Sequence, residues 1–304
     1  MSLVDALRDD TAGALDRHIP PGRRLHLPGR GDTYVRLHRG PAGAPTVLLL
    51  HGWLATGALN WFRCFEPLGR HFTLVAPDLR GHGRGIRSRR RFRLRDAADD
   101  TAVTLELLGT GPVIAVGYSM GGPVAQLLWR HHRPLVAGLV LSATGTEFMP
   151  GNRERYALSA LGSVAAGTTR LGSLAAWLPG RVTRALFGME LSRGNPGMLA
   201  QWARHEMSHH SVRVLFEALH ALANYSARGW IDEIDVPTSV LVTEQDRAVS
   251  PTAQLRMAMA IPDAHINRIA DGHAACVNPD FGRKITNACL DVAVRAAPRT
   301  GAPT

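Results

Sequence analysis

The chain has 304 residues, of which 45% are hydrophobic and 20% charged, and its formal net charge at pH 7 is +10. This composition is that of a globular protein, built as one large domain or as a domain with an insertion. No run of eighteen apolar residues occurs, and the N-terminus lacks a basic start followed by an apolar segment. A transmembrane helix and a secretory signal are therefore not predicted, and we expect a cytoplasmic protein.

Short apolar runs alternate with longer segments of helical periodicity along most of the chain. The predicted strands cover residues 33–38, 46–50, 72–76, 112–116, 138–142, 238–243 and 265–270. The predicted helices cover 60–69, 96–108, 121–132, 252–260 and 279–296, the last with an apolar stripe at Phe281, Ile285, Cys289 and Val292. This alternation predicts a mostly parallel sheet that is covered by helices on both faces.

The first motif follows the predicted strand 46–50 and reads His51-Gly52-Trp53. It is either a turn that ends a strand or a loop whose backbone N–H groups bind a developing negative charge. In the second interpretation, the N–H of Trp53 is the expected donor.

Seven arginines lie between Arg84 and Arg95, and without them the net charge would be +3. One interpretation of this arginine run is a solvated loop. The other is a basic patch with a weak attraction for anionic lipid or acyl-phosphate substrates. Phe92 is the only aromatic residue in the run, so nucleic-acid binding is not predicted.

The most specific motif is G-x-S-x-G at residues 117–121, between the predicted strand 112–116 and the predicted helix 121–132. Strand, sharp turn and helix are the context of a nucleophile elbow, in which a serine is presented at the end of a sheet. Ser119 is therefore the candidate nucleophile, and the N–H of Met120 is a second candidate oxyanion donor. The alternative is a glycine-rich turn with an incidental serine.

Nearly a hundred residues separate the predicted strands 138–142 and 238–243, which is far longer than an ordinary crossover. We interpret residues 147–230 as a helical cap inserted between two parts of a core, 1–146 and 231–304, with a disordered tail from about residue 297. Val212, Leu215, Phe216, Leu219 and Leu222 mark one amphipathic helix of this cap. Its methionines and tryptophans either line an apolar acyl or aryl pocket or pack the cap onto the core.

Two further residues complete a serine, acid and histidine series in chain order. Asp246 follows the predicted strand 238–243, and His273 lies in an Asp-Gly-His loop after the predicted strand 265–270. Glu244 is the alternative acid, because it lies closer to the end of the strand. In this order Ser119 attacks, His273 acts as the base and Asp246 orients the imidazole.

The three cysteines, Cys64, Cys276 and Cys289, form neither an even set nor a metal-binding spacing. We expect them to be reduced, and we expect neither a metal nor an organic cofactor. Cys276 lies three residues after His273, but no matching base gives it a catalytic role.

Together these motifs resemble the serine branch of the α/β-hydrolase superfamily. The resemblance is strongest to small bacterial esterases, perhydrolase-like enzymes and uncharacterised actinobacterial hydrolases. It covers about residues 33–295, apart from the middle segment 147–230. The four blocks that carry it are His51-Gly52-Trp53, the D-x-R-G-x-G turn at 78–83, the S-M-G-G elbow at 119–122, and the acid and histidine loops at Asp246 and His273. One departure is the polar Thr243-Glu244-Gln245 before Asp246, where many relatives have glycine.

The resemblance implies an α/β-hydrolase fold and a serine hydrolase that cleaves small-molecule carboxylic esters, with an apolar acyl or aryl group, through an acyl-enzyme on Ser119. A perhydrolase or cofactor-free haloperoxidase, or an acyltransferase, would use the same three residues. A non-catalytic ligand-binding protein on the same fold is the alternative of another class. The serine at position 119 argues against haloalkane and epoxide hydrolases, which would have an aspartate there.

Overall fold

The computed structural model describes residues 19–148 and 198–297, and they form one eight-stranded sheet with helices on both faces. The spatial order of the strands is β1-β2-β4-β3-β5-β6-β7-β8. The strands are β1 (Gly22–Leu27), β2 (Gly31–His38), β3 (Thr46–Leu50), β4 (Thr73–Pro77), β5 (Val113–Tyr118), β6 (Val136–Ser142), β7 (Thr238–Thr243) and β8 (His265–Ile269). From β4 across to β8 every neighbouring pair is parallel, whereas β2 pairs antiparallel with both β1 and β4. The predicted α/β fold is confirmed.

Eight α-helices cover the two faces of this sheet in the described residues. They are α1 (Gly57–Trp61), α2 (Phe65–Gly69), α3 (Leu94–Leu108), α4 (Gly121–His131), α5 (Met198–Ser208), α6 (Val212–Ala223), α7 (Pro251–Ala260) and α8 (Phe281–Ala296). Successive residues of β3 point to opposite faces. Leu48 and Leu50 therefore join the core cluster of α3 and α4, while Val47 and Leu49 join that of α2 and α8. The predicted stripe of α8 is fully buried in the second cluster.

The prediction of one helix over 60–69 was wrong, because two short helices occupy this region. Pro67 has no N–H group to donate to the carbonyl of Arg63, so a helix that continued through this point would lose a hydrogen bond. The same carbonyl instead meets the last helix. A Cβ added at Gly282 of α8 would lie 1.9 Å from the Arg63 oxygen.

Strand β1 was not predicted from the sequence. It alternates charged and apolar residues, and Arg23 and Arg24 on it are exposed. Its pairing with β2 and the burial of Leu27 define it as a strand. The sequence signal was weak because only one face of this edge hairpin contacts the core.

The described part of the predicted cap consists of α5 and α6. Helix α6 contains the predicted amphipathic stripe, and Phe216, Leu219 and Leu222 on it are buried. Its N-terminal end contacts the turn after β4, where Ser211 N donates to Gly81 O at 2.9 Å. Residues 149–197 of the predicted cap and residues 298–304 of the predicted tail lie outside the described residues.

A search for membrane-spanning segments covered the same described ranges. None of the helices in them has the length and apolar character that crossing a bilayer requires.

Candidate active site

The turn between β5 and α4 is tightly packed and places Ser119 in the left-handed region, with φ at +50°. Glycines flank it because the surrounding backbone leaves no space for side chains. A Cβ at Gly117 would lie 2.5 Å from the carbonyl of Gly121, and one at Gly121 would lie 2.0 Å from the carbonyl of Leu50. A strained, non-glycine residue that is held by its surroundings is typical of functional sites. This geometry is that of a nucleophile elbow.

The side chain of Ser119 meets His273, which lies 154 residues further along the chain. The Ser119 Oγ and His273 Nε2 atoms are 2.9 Å apart. Both side chains are mostly buried, with 11% of the His273 side chain exposed and Ser119 7% exposed. This separation allows the hydroxyl to donate its proton to the imidazole.

Asp246 lies on the other side of the imidazole, with its Oδ2 atom 2.8 Å from His273 Nδ1. Its Oδ1 atom accepts hydrogen bonds from the backbone N–H groups of Ala248 and Val249 at 2.8 and 2.9 Å. The alternative acid, Glu244, points elsewhere and pairs with Arg268 at 3.2 Å on the surface. The structure therefore brings Ser119, His273 and Asp246 together and leaves Glu244 outside the group.

The loop after β3 passes directly beside Ser119, because a Cβ at Gly52 would lie 3.3 Å from Ser119 Cβ. The buried His51 holds this loop. Its Nε2 accepts from Leu79 N at 2.9 Å, which leaves Nδ1–H to donate to Gly52 O at 2.8 Å. Burial lowers the pKa of His51 to about 3, so the ring is neutral at ordinary pH.

Trp53 and Met120, the two residues whose N–H groups were predicted to bind an oxyanion, border Ser119 from two elements. Trp53 follows Gly52, and its indole Nε1 donates to Leu215 O of α6 at 2.9 Å. Met120 is the N-cap of α4, and N–H groups at the start of a helix have no partner within the helix. Met120 therefore lies at the end of α4 where the helix dipole favours negative charge, directly after Ser119 in the chain.

Three polar side chains that support Asp246 and the loop of His273 were missed by the sequence analysis. Thr243 Oγ1 donates to Asp246 Oδ2 at 2.8 Å, and Gln254 Nε2 donates to Thr243 Oγ1 at 2.7 Å. On the histidine loop, Asp271 accepts from Gly272 N at 2.7 Å and so braces the turn that carries His273. The sequence analysis noted Thr243 only as part of a polar segment where many relatives have glycine. Nothing in the sequence connected Gln254 to Thr243.

Tyr118 was also missed, although it directly precedes the nucleophile. Its hydroxyl donates to the backbone carbonyl of His273 at 2.6 Å, which ties the histidine loop to the end of β5. Burial raises the pKa of Tyr118, so the phenol stays protonated and keeps donating.

The D-x-R-G-x-G turn has a structural role at this end of the sheet. Asp78 accepts from the N–H groups of Gly57 and Arg84 at 2.9 and 2.8 Å. Arg80 forms a bidentate, buried pair with Asp100, both bonds measuring 2.7 Å. The turn therefore fixes the start of α1 and the N-terminal half of α3.

Cys64, Cys276 and Cys289 have no disulfide partner among the described residues. Burial raises the pKa of Cys276 to about 12, so its thiol is protonated and unreactive at ordinary pH. Within the described residues, no group of three or more His, Cys, Asp or Glu side chains could hold a metal ion.

Comparison with known proteins defines the class. A family model described as the alpha/beta hydrolase fold matches residues 45–279, which is most of the chain. The chain therefore belongs to the α/β-hydrolase fold family.

Individual relatives resemble parts of the chain or its fold. A pimeloyl acyl-carrier-protein methyl ester esterase from Vibrio vulnificus is 35% identical over 113 residues, which are 36% of this chain and 41% of the esterase. An uncharacterised protein from Mycobacterium bovis is 32% identical over 112 residues, or 37% of this chain, and the chain spans about a third of its length (33%). A thermophilic esterase from Thermogutta terrifontis superposes with a TM-score of 0.72 at 22% identity, covering 91% of this chain and 100% of the esterase. At this identity, the superposition shows that the two chains share a fold.

Proposed function

We propose that this protein is a serine hydrolase that cleaves carboxylic esters of small molecules. The observation that carries the proposal is the continuous series of contacts from Ser119 through His273 to Asp246, at 2.9 and 2.8 Å. Membership of the α/β-hydrolase family and the similarity to two esterases support it.

The first half of the reaction transfers the acyl group to the enzyme. His273 accepts the proton of Ser119 at Nε2 while Oγ attacks the ester carbonyl, and Asp246 stabilises the imidazolium through Nδ1–H. The N–H groups of Trp53 and Met120 bind the negative charge that develops on the carbonyl oxygen, an effect worth roughly 10²–10³ in rate per donor. The imidazolium then protonates the departing alcohol.

The second half regenerates the enzyme. Water enters in place of the alcohol, gives a proton to His273 Nε2 and attacks the acyl-enzyme. His273 then returns a proton to Ser119 Oγ as the bond to the acyl group breaks and the acid product leaves. The buried and fixed Asp246 serves both halves without changing its position, because its oxygens are already bonded to Thr243, Ala248 and Val249.

The substrate class follows from the surroundings of the site. We propose an apolar acyl or aryl ester, bound beneath a helical cap of residues 147–230, because six of the seven buried residues of α6 on this segment are apolar. The Vibrio relative is named for a methyl ester, which is consistent with a small alcohol as leaving group. The free thiols support a cytoplasmic location for this protein.

The arginine run supports at most a weak attraction to anionic lipid. Arg84 pairs with Glu206, and Arg87 donates to backbone carbonyls of the protein. The remaining five arginines, at 89, 90, 91, 93 and 95, are exposed. Surface charge of this kind is weakened by physiological salt.

A panel of p-nitrophenyl esters of increasing acyl length, extended by a lactone and a thioester, tests the proposal. We expect steady-state hydrolysis by the wild-type protein and loss of nearly all activity in Ser119→Ala and His273→Ala, with unchanged circular dichroism. Full activity in Ser119→Ala would rule out the serine mechanism. Faster product formation with hydrogen peroxide or with an added alcohol would indicate a perhydrolase or an acyltransferase on the same residues. Binding without turnover would indicate a ligand-binding protein.

A further inference from the structure

A cavity of about 290 Å³ lies away from the proposed triad, where three elements meet. The β1–β2 hairpin forms one wall, the turn after β4 forms the second, and the connection between α5 and α6 forms the third. The lining residues are Arg24, Asp32, Arg84, Gly85, Arg87 and His209. None of them belongs to the triad or to the loop that follows β3, so a role for this cavity goes beyond the proposed function.

The lining carries more positive than negative charge. Arg84 is compensated, because its guanidinium lies 2.9 Å from the buried carboxylate of Glu206. Asp32 is engaged with His26 at 2.7 Å on the hairpin. Arg24 and Arg87 are different: in residues 19–148 and 198–297, neither guanidinium has a carboxylate within ion-pair distance.

Arg87 is fixed in place by neutral partners. It donates to the carbonyl of Gly83 at 2.7 Å and also to the carbonyl of His209, which belongs to the α5–α6 connection. Carbonyl groups hold a guanidinium in position without cancelling its charge. Arg87 therefore presents to the cavity a guanidinium that is held in place and has no ion-pair partner among the described residues.

The positive charges of Arg24 and Arg87 interact across this cavity. Burial lowers the pKa of Arg87, the charge of Asp78 acts in the opposite direction, and the charge of Arg24 lowers the pKa to a smaller extent. Arginine nevertheless stays protonated in proteins. Two like charges thus face one cavity, an arrangement that a bound anion would stabilise.

We propose that this cavity, the Arg24–Arg87 pocket, binds a small oxyanion whose phosphate or carboxylate group lies between the two guanidinium groups. Guanidinium donors match the oxygen spacing of both groups and bind them in a bidentate manner. Water occupies about 30 Å³ per molecule, so the pocket has the volume of about ten waters. That is space for a phosphate group with a small organic body attached.

Binding of such an anion would connect the core to the cap segment. Arg24 lies on β1 of the core, whereas Arg87 and His209 join the turn after β4 to the α5–α6 connection. The same contact region contains a hydrogen bond from Gly83 N to His210 Nδ1 at 2.7 Å. An anion held by both arginines would therefore stabilise the folded protein, since any ligand that binds only the native state does so.

The test is thermal unfolding of the full chain in increasing phosphate, with sodium chloride at matched ionic strength as the reference. We expect a saturable rise in melting temperature and a binding signal by titration calorimetry. Arg24→Gln should weaken phosphate binding by about tenfold or more, the loss expected when a charge-assisted contact is removed. Arg24 has no side-chain hydrogen bond to any other described residue, so this substitution leaves the fold intact.

Two further variants separate a pocket from general surface charge. Arg89→Gln removes the same charge from an exposed residue outside the lining, and we expect it to bind phosphate like the wild type. Asp32→Asn removes the carboxylate of the pocket and should tighten binding. No rise in melting temperature with phosphate, or an equal loss in Arg24→Gln and Arg89→Gln, would overturn the proposal.

Two forms of the binding experiment determine whether the phosphate group belongs to a soluble compound or to a lipid headgroup. Binding of free glycerol phosphate that depends on Arg24 would identify a soluble phosphate ester, and malonate in its place would identify a carboxylate. Binding to phosphatidylglycerol vesicles but not to phosphatidylcholine vesicles, again dependent on Arg24, would identify a lipid headgroup. All these readouts are independent of ester hydrolysis, so they are unchanged in the Ser119→Ala protein.

Discussion

The carboxylate of Asp246 is held by groups that lie close to it in the chain and by one that lies far away. Ala248, Val249 and Thr243 are within three residues of it, and they fix both oxygens. His273 is 27 residues distant and contacts Oδ2. A carboxylate held in this way can orient the imidazole and stabilise the imidazolium, which is the role that the proposed mechanism requires.

Asp246→Asn tests this role at the residue scale. The amide can donate to Nδ1 of His273 and so favours the wrong tautomer, and we expect kcat to fall on the order of 10³–10⁴-fold with the fold retained. Glu244→Gln is the matched control. Because Glu244 pairs with Arg268 on the surface, the kcat of this variant should equal that of the wild type. A greater loss in Glu244→Gln than in Asp246→Asn would reassign the acid.

Thr243→Val tests whether the hydroxyl behind the acid positions it. Valine keeps the shape of the side chain but removes the donor to Asp246 and the acceptor for Gln254. We expect kcat to fall about tenfold with KM unchanged, since one hydrogen bond to a charged group is worth about 1.5–3 kcal/mol. Thr243→Ser restores the hydroxyl and should recover most of the rate. Equal loss in both variants would show that packing, not hydrogen bonding, matters at this position.

At the scale of elements, the predictions succeeded where one periodicity extended over a whole segment. Strands β3 and β5 are buried on both faces and read as continuous apolar runs. Helix α8 has a complete apolar stripe. The failures were the edge strand β1, whose pattern is mixed, and the region 60–69, where Pro67 interrupts a helical pattern that the apolar residues alone would allow.

The contact between the elbow and β3 makes a stability prediction about two glycines. Gly121→Ala would place a Cβ 2.0 Å from the Leu50 carbonyl, whereas Gly109→Ala meets nothing within 4 Å and only acquires strain at φ +61°. We expect Gly109→Ala to cost about 1–2 kcal/mol of unfolding free energy. Gly121→Ala should cost more, because backbone must move. Urea denaturation of both variants measures the difference, and the reverse order would contradict the close packing of α4 on β3.

At the scale of the whole molecule, buried histidines join the core to the α5–α6 connection. Burial is the main cause that lowers the pKa of each of them, to about 3 for His51 and about 4 for His210, with His82 shifted in the same direction. The rings of His82 and His210 meet edge to face with centroids 5.5 Å apart. Protonation of these rings would therefore place positive charges next to one another where the cap segment contacts the core.

This arrangement predicts that stability falls in mild acid. The unfolded chain binds a proton on each histidine near pH 6.5, while the folded chain resists protonation until about pH 4 or below. Between these values the unfolded state carries more protons, so unfolding free energy decreases as pH falls, by up to about 1.4 kcal/mol per pH unit for each histidine. Urea unfolding between pH 7 and pH 4.5 measures the slope.

Two histidine variants provide the comparison for that slope. His210→Asn keeps an acceptor for Gly83 N but does not titrate, so it should make the pH dependence less steep. His71→Asn replaces an exposed histidine and should leave the pH dependence of the unfolding free energy unchanged. An identical slope in the wild type and His210→Asn would mean that other groups cause the acid sensitivity.

The sequence by itself determined the alternation of strands and helices, the elbow at Ser119 and the chain order of Ser119, Asp246 and His273. These follow from local periodicity and from the spacing of motifs, which neighbouring residues specify. Only the tertiary structure placed Asp246 rather than Glu244 beside His273, joined Gln254 to Thr243, and brought Arg24 and Arg87 to one cavity. Each of those depends on where separate elements meet, and that is set by packing among elements that are distant in the chain.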